Sequence, residues 1–230
     1  MLFEINGEKV SVPSSLEQIS LGKFIEWYEL HGEQLDIQLQ ELLANDKMDK
    51  DLKEIEIDQH LDKQAIAWMQ FWTGFDFEEL KDDIKIVPAL DAYRVIRYQL
   101  KKEESETQYP TEFEFNGETW ELGNYKVDPQ SDMTAGEIIT AKEVIRQLYK
   151  MGAGQYIAWL YLCCIFLRKK NERFQDHMVH EGSQRMELMR EITMDIALRV
   201  GFFLNTCVDT WANTLKYFSP AEHLQMQSRK

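Results

Sequence analysis

The sequence FEINGE at residues 3–8 returns as FEFNGE at residues 113–118. Two further pairs of similar segments follow in the same order: SLGKFI at 20–25 with TAGEII at 134–139, and IAW at 66–68 with IAW at 157–159. Ordered internal similarity of this kind is typical of a duplicated structural unit. The spacings of 110, 114 and 91 residues differ between the pairs, so we expect the two copies to have diverged in loop length.

Each repeated segment predicts a β-hairpin. Asn-Gly between alternating apolar residues favours a two-residue turn, because both turn positions need a positive φ angle. The turn fixes the cross-strand partners and places apolar and polar pairs on opposite faces. The predicted pairs are Phe3 with Val10, Glu4 with Lys9, Phe113 with Trp120, and Glu114 with Thr119. An isolated hairpin is marginally stable in water, so each is expected to lie against its own helices.

Helical spacing of apolar residues dominates the rest of the chain. In the first copy the predicted elements are a helix capped by Ser20 and closed at His31-Gly32, an exposed charged helix or loop within 45–62, a buried helix over 65–72, a short helix capped by Asp76, and a helix from Pro88 to Leu100. The charged segment has no counterpart in the second copy. A polar linker over 101–110 separates the copies.

The second copy is expected to repeat the order hairpin, capped helix, buried helix. Its predicted elements are a loop over 123–132, a helix capped by Thr134 that ends near Lys150, an apolar helix over 155–167 that ends in Arg168-Lys169-Lys170, an irregular stretch over 174–182, and a long helix over 184–218, bent near Thr193. The three basic residues are interpreted as a solvated helix C-terminus, where cations complement the helix dipole.

The predicted fold class is therefore mainly α (α+β), a helical bundle with two small β-hairpins. The predicted units are a first hairpin-plus-helices unit at 1–108 and a second at 109–230. Whether the two units pack separately or share one core is left open by the sequence.

Composition restricts the classes of partner. The 230 residues carry a formal net charge of −14, and 44% of them are apolar. This charge opposes binding to nucleic acid or to an anionic membrane, because such binding requires a basic patch. The longest apolar run, residues 156–167, is shorter than the roughly 20 residues that span a bilayer, and the N-terminus lacks the features of a signal peptide. We expect a soluble protein.

Three cysteines, Cys163, Cys164 and Cys207, show no metal-site spacing and no disulfide framework. Their expected role is core packing in a reducing, cytosolic setting.

The sequence predicts no catalytic, cofactor-binding or metal-binding residue, and we expect a non-enzymatic protein without a cofactor. His177, His180 and Glu181 offer the only cluster of ligand-like side chains, but no third His or Cys lies nearby. The glycines of Gly152-Ala153-Gly154 lack the pattern of a dinucleotide loop and favour a helix break.

Two further predictions concern the charged residues and the aromatic residues. A salt-bridge network is expected to tie the long helices around residues 171–183, formed by Arg168, Glu172, Arg173, Arg185 and Glu187. Aromatic residues, with Trp and Tyr among them, crowd into residues 68–77 and 156–166, where core packing is the default. The same residue types anchor protein interfaces, so an exposed apolar patch is the alternative.

The chain resembles a loose class of tailed-bacteriophage proteins, which includes tail assembly chaperones and virion structural proteins. The similarity comprises the Asn-Gly hairpins, Val12-Pro13, residues 19–24, Thr134 to Glu137, residues 166–169, residues 185–189, and residues 196–204. This resemblance implies a non-enzymatic morphogenesis protein of the host cell cytoplasm or the virion, with phage tail or other virion proteins as partners. It identifies no site residue.

Three hypotheses follow. The first is the phage morphogenesis protein, either an assembly chaperone or a virion component, with self-association left open. The second is a metal-dependent hydrolase that uses His177, His180 and Glu181. The third is an acidic phage or mobile-element effector that binds a host protein. The functional surface is expected on the segments that the two copies do not share, chiefly 45–62 and 171–183.

Overall fold

The computed structural model describes residues 1–81, 84–102, 112–122, 134–170 and 172–201. The helices are α1 Leu21–Trp27, α2 Glu33–Ala44, α3 Lys50–Thr73, α4 Phe77–Leu80, α5 Ile86–Lys102, α6 Ala135–Met151, α7 Gln155–Phe166, α8 Gln184–Arg190, and α9 over residues 194–201. The strands are β1 Leu2–Ile5, β2 Glu8–Ser11, β3 Glu112–Phe115, β4 Glu118–Leu122 and β5 Leu167–Lys169. The mainly helical fold with two small antiparallel sheets is confirmed.

Both hairpins have the predicted register. Phe3 pairs with Val10 and Glu4 with Lys9 in the first, and Phe113 pairs with Trp120 and Glu114 with Thr119 in the second. The turns adopt the left-handed conformation that Asn-Gly favours, with φ of 51° at Asn6 and 53° at Asn116. In each hairpin the apolar face points into the hydrophobic core.

The first helix does not end at His31-Gly32, so that prediction was wrong. A π-helical turn over Tyr28–Gly32 joins α1 to α2, and Gly32 keeps helical angles of −63° and −44°. Glycine is needed there for packing, because a Cβ atom would lie 2.6 Å from Cδ2 of Tyr28 and 2.9 Å from Cζ3 of Trp27. The chain therefore stays helical from Leu21 to Ala44.

The charged segment over residues 45–62 is not a separate short helix or loop. From Lys50 onward it forms the first half of α3, which is 24 residues long and continues through the IAW segment. Asp49 caps this helix, since its carboxylate accepts hydrogen bonds from the backbone N–H groups of Asp51 and Leu52. The two elements α2 and α3 thus form a helical hairpin. In the second copy only the short turn over residues 152–154 separates α6 from α7.

The basic cluster does not extend α7, contrary to the prediction. The helix ends at Phe166, and Leu167–Lys169 forms β5, which pairs antiparallel with β4. The second hairpin is therefore part of a three-stranded sheet, whereas the first sheet has two strands.

The predicted long C-terminal helix is interrupted near Thr193, where a bend was expected. Between α8 and α9, residues 191–193 run beside the segment that precedes α1. Leu21 N donates to Ile192 O at 2.7 Å, and Met194 N donates to Ile19 O at 2.8 Å. These backbone hydrogen bonds link the first copy to the second.

Residues from both copies form one hydrophobic core. Phe24 of α1 meets Tyr156 of α7 edge to face, with ring centroids 4.8 Å apart, and Trp27 meets Trp68 at 4.9 Å. Four of the nine aromatic residues in the two predicted clusters are buried in this core, four are partly buried against it, and Phe77 is exposed. The predicted unit boundary at 108/109, the loop over 123–132 and the chain after residue 201, including Cys207, lie outside the described residues.

Candidate interaction surface

An apolar groove lies between α3, α4 and α5. It encloses about 150 Å³ and is lined by Ile66, Met69, Phe77, Leu80, Lys81, Ile84, Ile86 and Ala89. Three large apolar side chains in and beside it remain open to solvent: Phe77 is 47% exposed, Ile86 42% and Val87 62%. Exposed apolar residues clustered around a concave surface mark a binding site more often than scattered ones do.

Local sequence signals build the walls of this groove. Gly74 ends α3 with a left-handed φ of 76°. Asp76 and Glu79 then form a capping box: Glu79 N donates to Asp76 at 3.0 Å, and Asp76 N donates to Glu79 at 2.9 Å. The resulting single turn, α4, buries Leu80 and leaves Phe77 at the groove opening.

A discontinuous apolar stripe lies on the outer side of α3 and ends at the groove. It consists of Leu52, Ile55 and Ile66, and we call it the α3 stripe. Ile55 follows Leu52 by three residues and precedes Ile66 by eleven, so the three side chains share one side of the helix. Leu52 is 48% exposed and Ile55 is 54% exposed.

The inner side of α3 is held by polar contacts, and this fixes which side faces outward. His60 Nε2 donates to the carbonyl oxygen of Leu35 at 2.7 Å, and the side-chain amide of Gln64 packs beside the His60 ring. Arg97 of α5 donates to Gln64 Oε1 at 2.6 Å. These hydrogen-bonded polar residues occupy positions where a buried helix face usually carries apolar residues. Periodicity of apolar residues alone therefore did not reveal the first half of α3.

Carboxylates are concentrated on the helical hairpin of α2 and α3. Residues 33–62 contain ten acidic residues and three lysines, a net charge of −7, which is half of the net charge of the whole chain. Lys53 does not neutralise a carboxylate, because it donates to the backbone oxygens of Leu43 and Asn45 at the end of α2. The surface beside the α3 stripe is therefore strongly acidic.

Residues 172–183, the described part of the second predicted functional region, border a cavity of about 270 Å³. Arg185 beside it is 8% exposed and donates to Leu167 O at 2.9 Å and to Glu172 Oε2 at 2.7 Å. Its guanidinium also lies 4.7 Å from the ring centroid of Trp120, a cation–π contact. These contacts join α8, β4 and β5, so we assign Arg185 a structural role.

Only part of the predicted salt-bridge network forms. Arg185 pairs with Glu172, as expected. Arg168 instead pairs with Glu137, which is fully buried at the start of α6, and Glu187 lies 4.0 Å from Arg190 on its own helix. The ion pair between Arg168 and Glu137 therefore links β5 to the start of α6 in a buried setting.

The candidate metal ligands lie on an exposed segment before α8. His177 lies in a short 3-10 helix over Asp176–Val179, and His180 follows it in an extended conformation. Both histidines and Glu181 are exposed. Within the described parts of the chain, no three His, Cys, Asp or Glu side chains are placed to hold a metal ion.

The two described cysteines lie in the core, as predicted. Cys163 and Cys164 are fully buried. Burial raises the pKa of the Cys164 thiol to about 12 and also raises the pKa of Cys163. Both thiols are therefore protonated near neutral pH, which makes them poor nucleophiles.

The glycines of Gly152-Ala153-Gly154 end one helix and begin the next, as expected. Gly152 adopts a left-handed φ of 69° after α6, and Gly154 precedes α7.

No family model, curated protein or solved structure matches this chain. Among the helices of the described residues, none has the length and apolar character required to cross a bilayer.

Proposed function

We propose that this chain is a non-enzymatic bacteriophage morphogenesis protein, either a tail assembly chaperone or a structural component of the virion, that acts by binding other proteins. The observation that carries the proposal is the apolar groove with Phe77, Ile86 and Val87 at its surface. An assembly protein must present such a surface, because apolar burial supplies most of the free energy of association. The resemblance of the sequence to tailed-bacteriophage proteins suggests that the partners are phage tail or other virion proteins.

The acidic charge supports the same role. A net charge far from zero keeps a protein soluble although it exposes apolar residues. A second candidate function is an acidic effector that binds a host protein, and the concentration of carboxylates on residues 33–62 favours it. The two functions differ in the identity of the partner.

The test is cross-linking in cells infected by the phage that encodes the chain. A tagged chain is expressed during infection, and mass spectrometry identifies its cross-linked neighbours at successive times. We expect tail or other virion proteins, with fewer cross-links for the variant Phe77→Ser than for the control Ile139→Ser, which changes an exposed residue of α6. If cross-links form to host proteins alone, the morphogenesis proposal is wrong and the effector function replaces it.

A further inference from the structure

The groove and the α3 stripe lie on the same side of α3, with the polar residues Gln59 and Asp62 between Ile55 and Ile66. Ile66 belongs to both, since it lines the groove and lies on the same side of α3 as Leu52 and Ile55. From Leu52 to Ile66 the helix rises about 21 Å. A partner helix of about 15 residues would cover that length.

A row of carboxylates borders this surface. Asp51, Asp58 and Asp62 follow one another at intervals of seven and four residues, so they share one side of α3 beside Ile55. In the part of the chain that the structure describes, none of the three forms an ion pair with a cation. By contrast, Glu143 on α6 is paired with Arg146 at 2.8 Å. The row is thus uncompensated negative charge alongside an apolar surface.

Charge and shape together restrict the occupant. Like charge disfavours a second copy of this acidic chain, an anionic lipid surface and nucleic acid. The groove walls are α3, α4 and α5, so among the described residues the groove offers no open strand edge to which an extended peptide could add. An amphipathic helix fits, because its apolar side chains recur at the same spacing as those of the α3 stripe.

We propose that the α3 stripe and the groove bind a basic amphipathic helix of a partner protein. Apolar side chains of that helix fill the groove between Phe77 and Ile86, and its lysines or arginines lie along Asp51, Asp58 and Asp62. This inference rests on the proposed function as an interaction protein and specifies the chemistry of the partner.

The probe is a fluorescein-labelled peptide of about 15 leucine and lysine residues, with leucines at the spacing of one helix face. Fluorescence anisotropy measures its affinity for the full chain. A scrambled peptide of the same composition and a peptide with glutamate in place of lysine are the controls. We expect the first peptide to bind at least tenfold more tightly than either control, and its affinity to fall when the salt concentration rises.

Variants of the chain locate the site. Phe77→Ser, Ile86→Ser and Ile55→Ser are each expected to weaken binding about tenfold, whereas Ile139→Ser, at an exposed isoleucine of α6, leaves it unchanged. Ile55 lies outside the groove lining, so its variant tests the surface even if a groove variant disturbs folding. The triple change of Asp51, Asp58 and Asp62 to Asn is compared with a triple change of the exposed Glu4, Glu17 and Glu112 to Gln, which alters the net charge equally.

Equal losses for the two triple variants, or equal binding of the scrambled peptide, would overturn the inference, since attraction to the overall charge would then explain the binding. A groove variant that changes the oligomeric state in sedimentation would also overturn it, because the groove would then join two copies. If the peptide does not bind, the inference about a basic helix is wrong. Cross-links to virion proteins would still support the proposed function in that case. Peptide binding without such cross-links would reject the phage function and retain the surface.

Discussion

The first half of the chain follows its IAW helix with a one-turn helix and leaves an open groove, whereas the second half follows it with a strand that joins the hairpin. Before this point the two halves share an Asn-Gly hairpin, a capped helix and a helix that carries Ile-Ala-Trp, although only the first half has α2 between its two helices. After it, α4 and α5 border exposed apolar residues, and β5 extends a sheet whose Trp120 is covered by Arg185. Elements of both kinds contribute to the core, whereas the apolar groove is bordered by α4 and α5, which have no counterpart in the second half.

The same repeat position has opposite environments in the two halves. Lys23 in the first half forms an exposed pair with Glu26 at 2.7 Å, and its counterpart Glu137 is fully buried against Arg168. The comparison can be tested by removing one partner from each pair, because an exposed pair contributes little and a buried charge without a partner costs much.

Arg168→Met is expected to lower the free energy of unfolding by about 3–5 kcal/mol, since it leaves the carboxylate of Glu137 buried without its partner. Glu26→Gln is the control, with an expected loss below about 0.5 kcal/mol. Urea unfolding followed by tryptophan fluorescence measures both. The double variant Arg168→Met, Glu137→Met should recover part of the loss, because apolar residues of similar volume can replace a buried ion pair, although the hydrogen bonds from Thr134 to Glu137 are lost. Equal effects of the two single changes would contradict the comparison.

Gly22 and Gly136 form a second matched pair, each at the second residue of its helix. A Cβ atom on Gly22 would lie 3.0 Å from Cβ and 3.1 Å from O of Arg190, whereas on Gly136 the nearest atom is 3.8 Å away. We expect Gly22→Ala to cost about 1–3 kcal/mol through overpacking between α1 and α8. Gly136→Ala should gain up to about 1 kcal/mol from helix propensity. Thermal unfolding of both variants checks the sign, and stabilisation by Gly22→Ala would show that α1 and α8 can move apart.

Alkaline pH should lower the free energy of unfolding, because the second half of the chain contains buried thiols. The pKa of Cys164 is raised to about 12 in the folded chain, whereas an unfolded thiol has a pKa of about 8.5. Between these values the unfolded state has lost the proton that the folded state keeps, so stability is complete below about pH 8.5 and falls as the pH rises. Each such thiol contributes a slope of about 1.4 kcal/mol per pH unit. Urea unfolding between pH 8 and 10 should show a smaller slope for Cys164→Val than for the wild type, and an unchanged slope would contradict this assignment.

The smallest expected difference is between the two helix caps. Thr134 forms a capping box with Glu137, whereas Ser20 accepts one hydrogen bond from Lys23 N at 3.3 Å. Thr134→Ala should therefore cost about 1–2 kcal/mol and Ser20→Ala about 0.5–1 kcal/mol. Circular dichroism during thermal unfolding can compare them, and a larger loss for Ser20→Ala than for Thr134→Ala would contradict this ranking of the caps.

Local signals predicted many of the elements. Asn-Gly fixed both hairpin registers, and Ser20, Asp76 and Thr134 marked three helix starts, because caps and turns depend on neighbouring residues. Periodicity failed where the helix face is polar, as at His60 and Gln64, or where glycine serves packing, as at Gly32. Of the candidate surface, only its acidic part within 45–62 was predicted.

The sequence by itself determined the repeated order of hairpin and helices, the strand registers and the excess of negative charge. Tertiary structure alone decided that both halves share one core, that Arg168 pairs with Glu137, and that Phe77 and Ile86 border an open groove. The physical reason is that registers and caps depend on residues a few positions apart, whereas burial and exposure depend on which distant segments meet. The groove combines residues from 66 to 89, and the burial of Glu137 depends on a strand about 30 residues further along the chain.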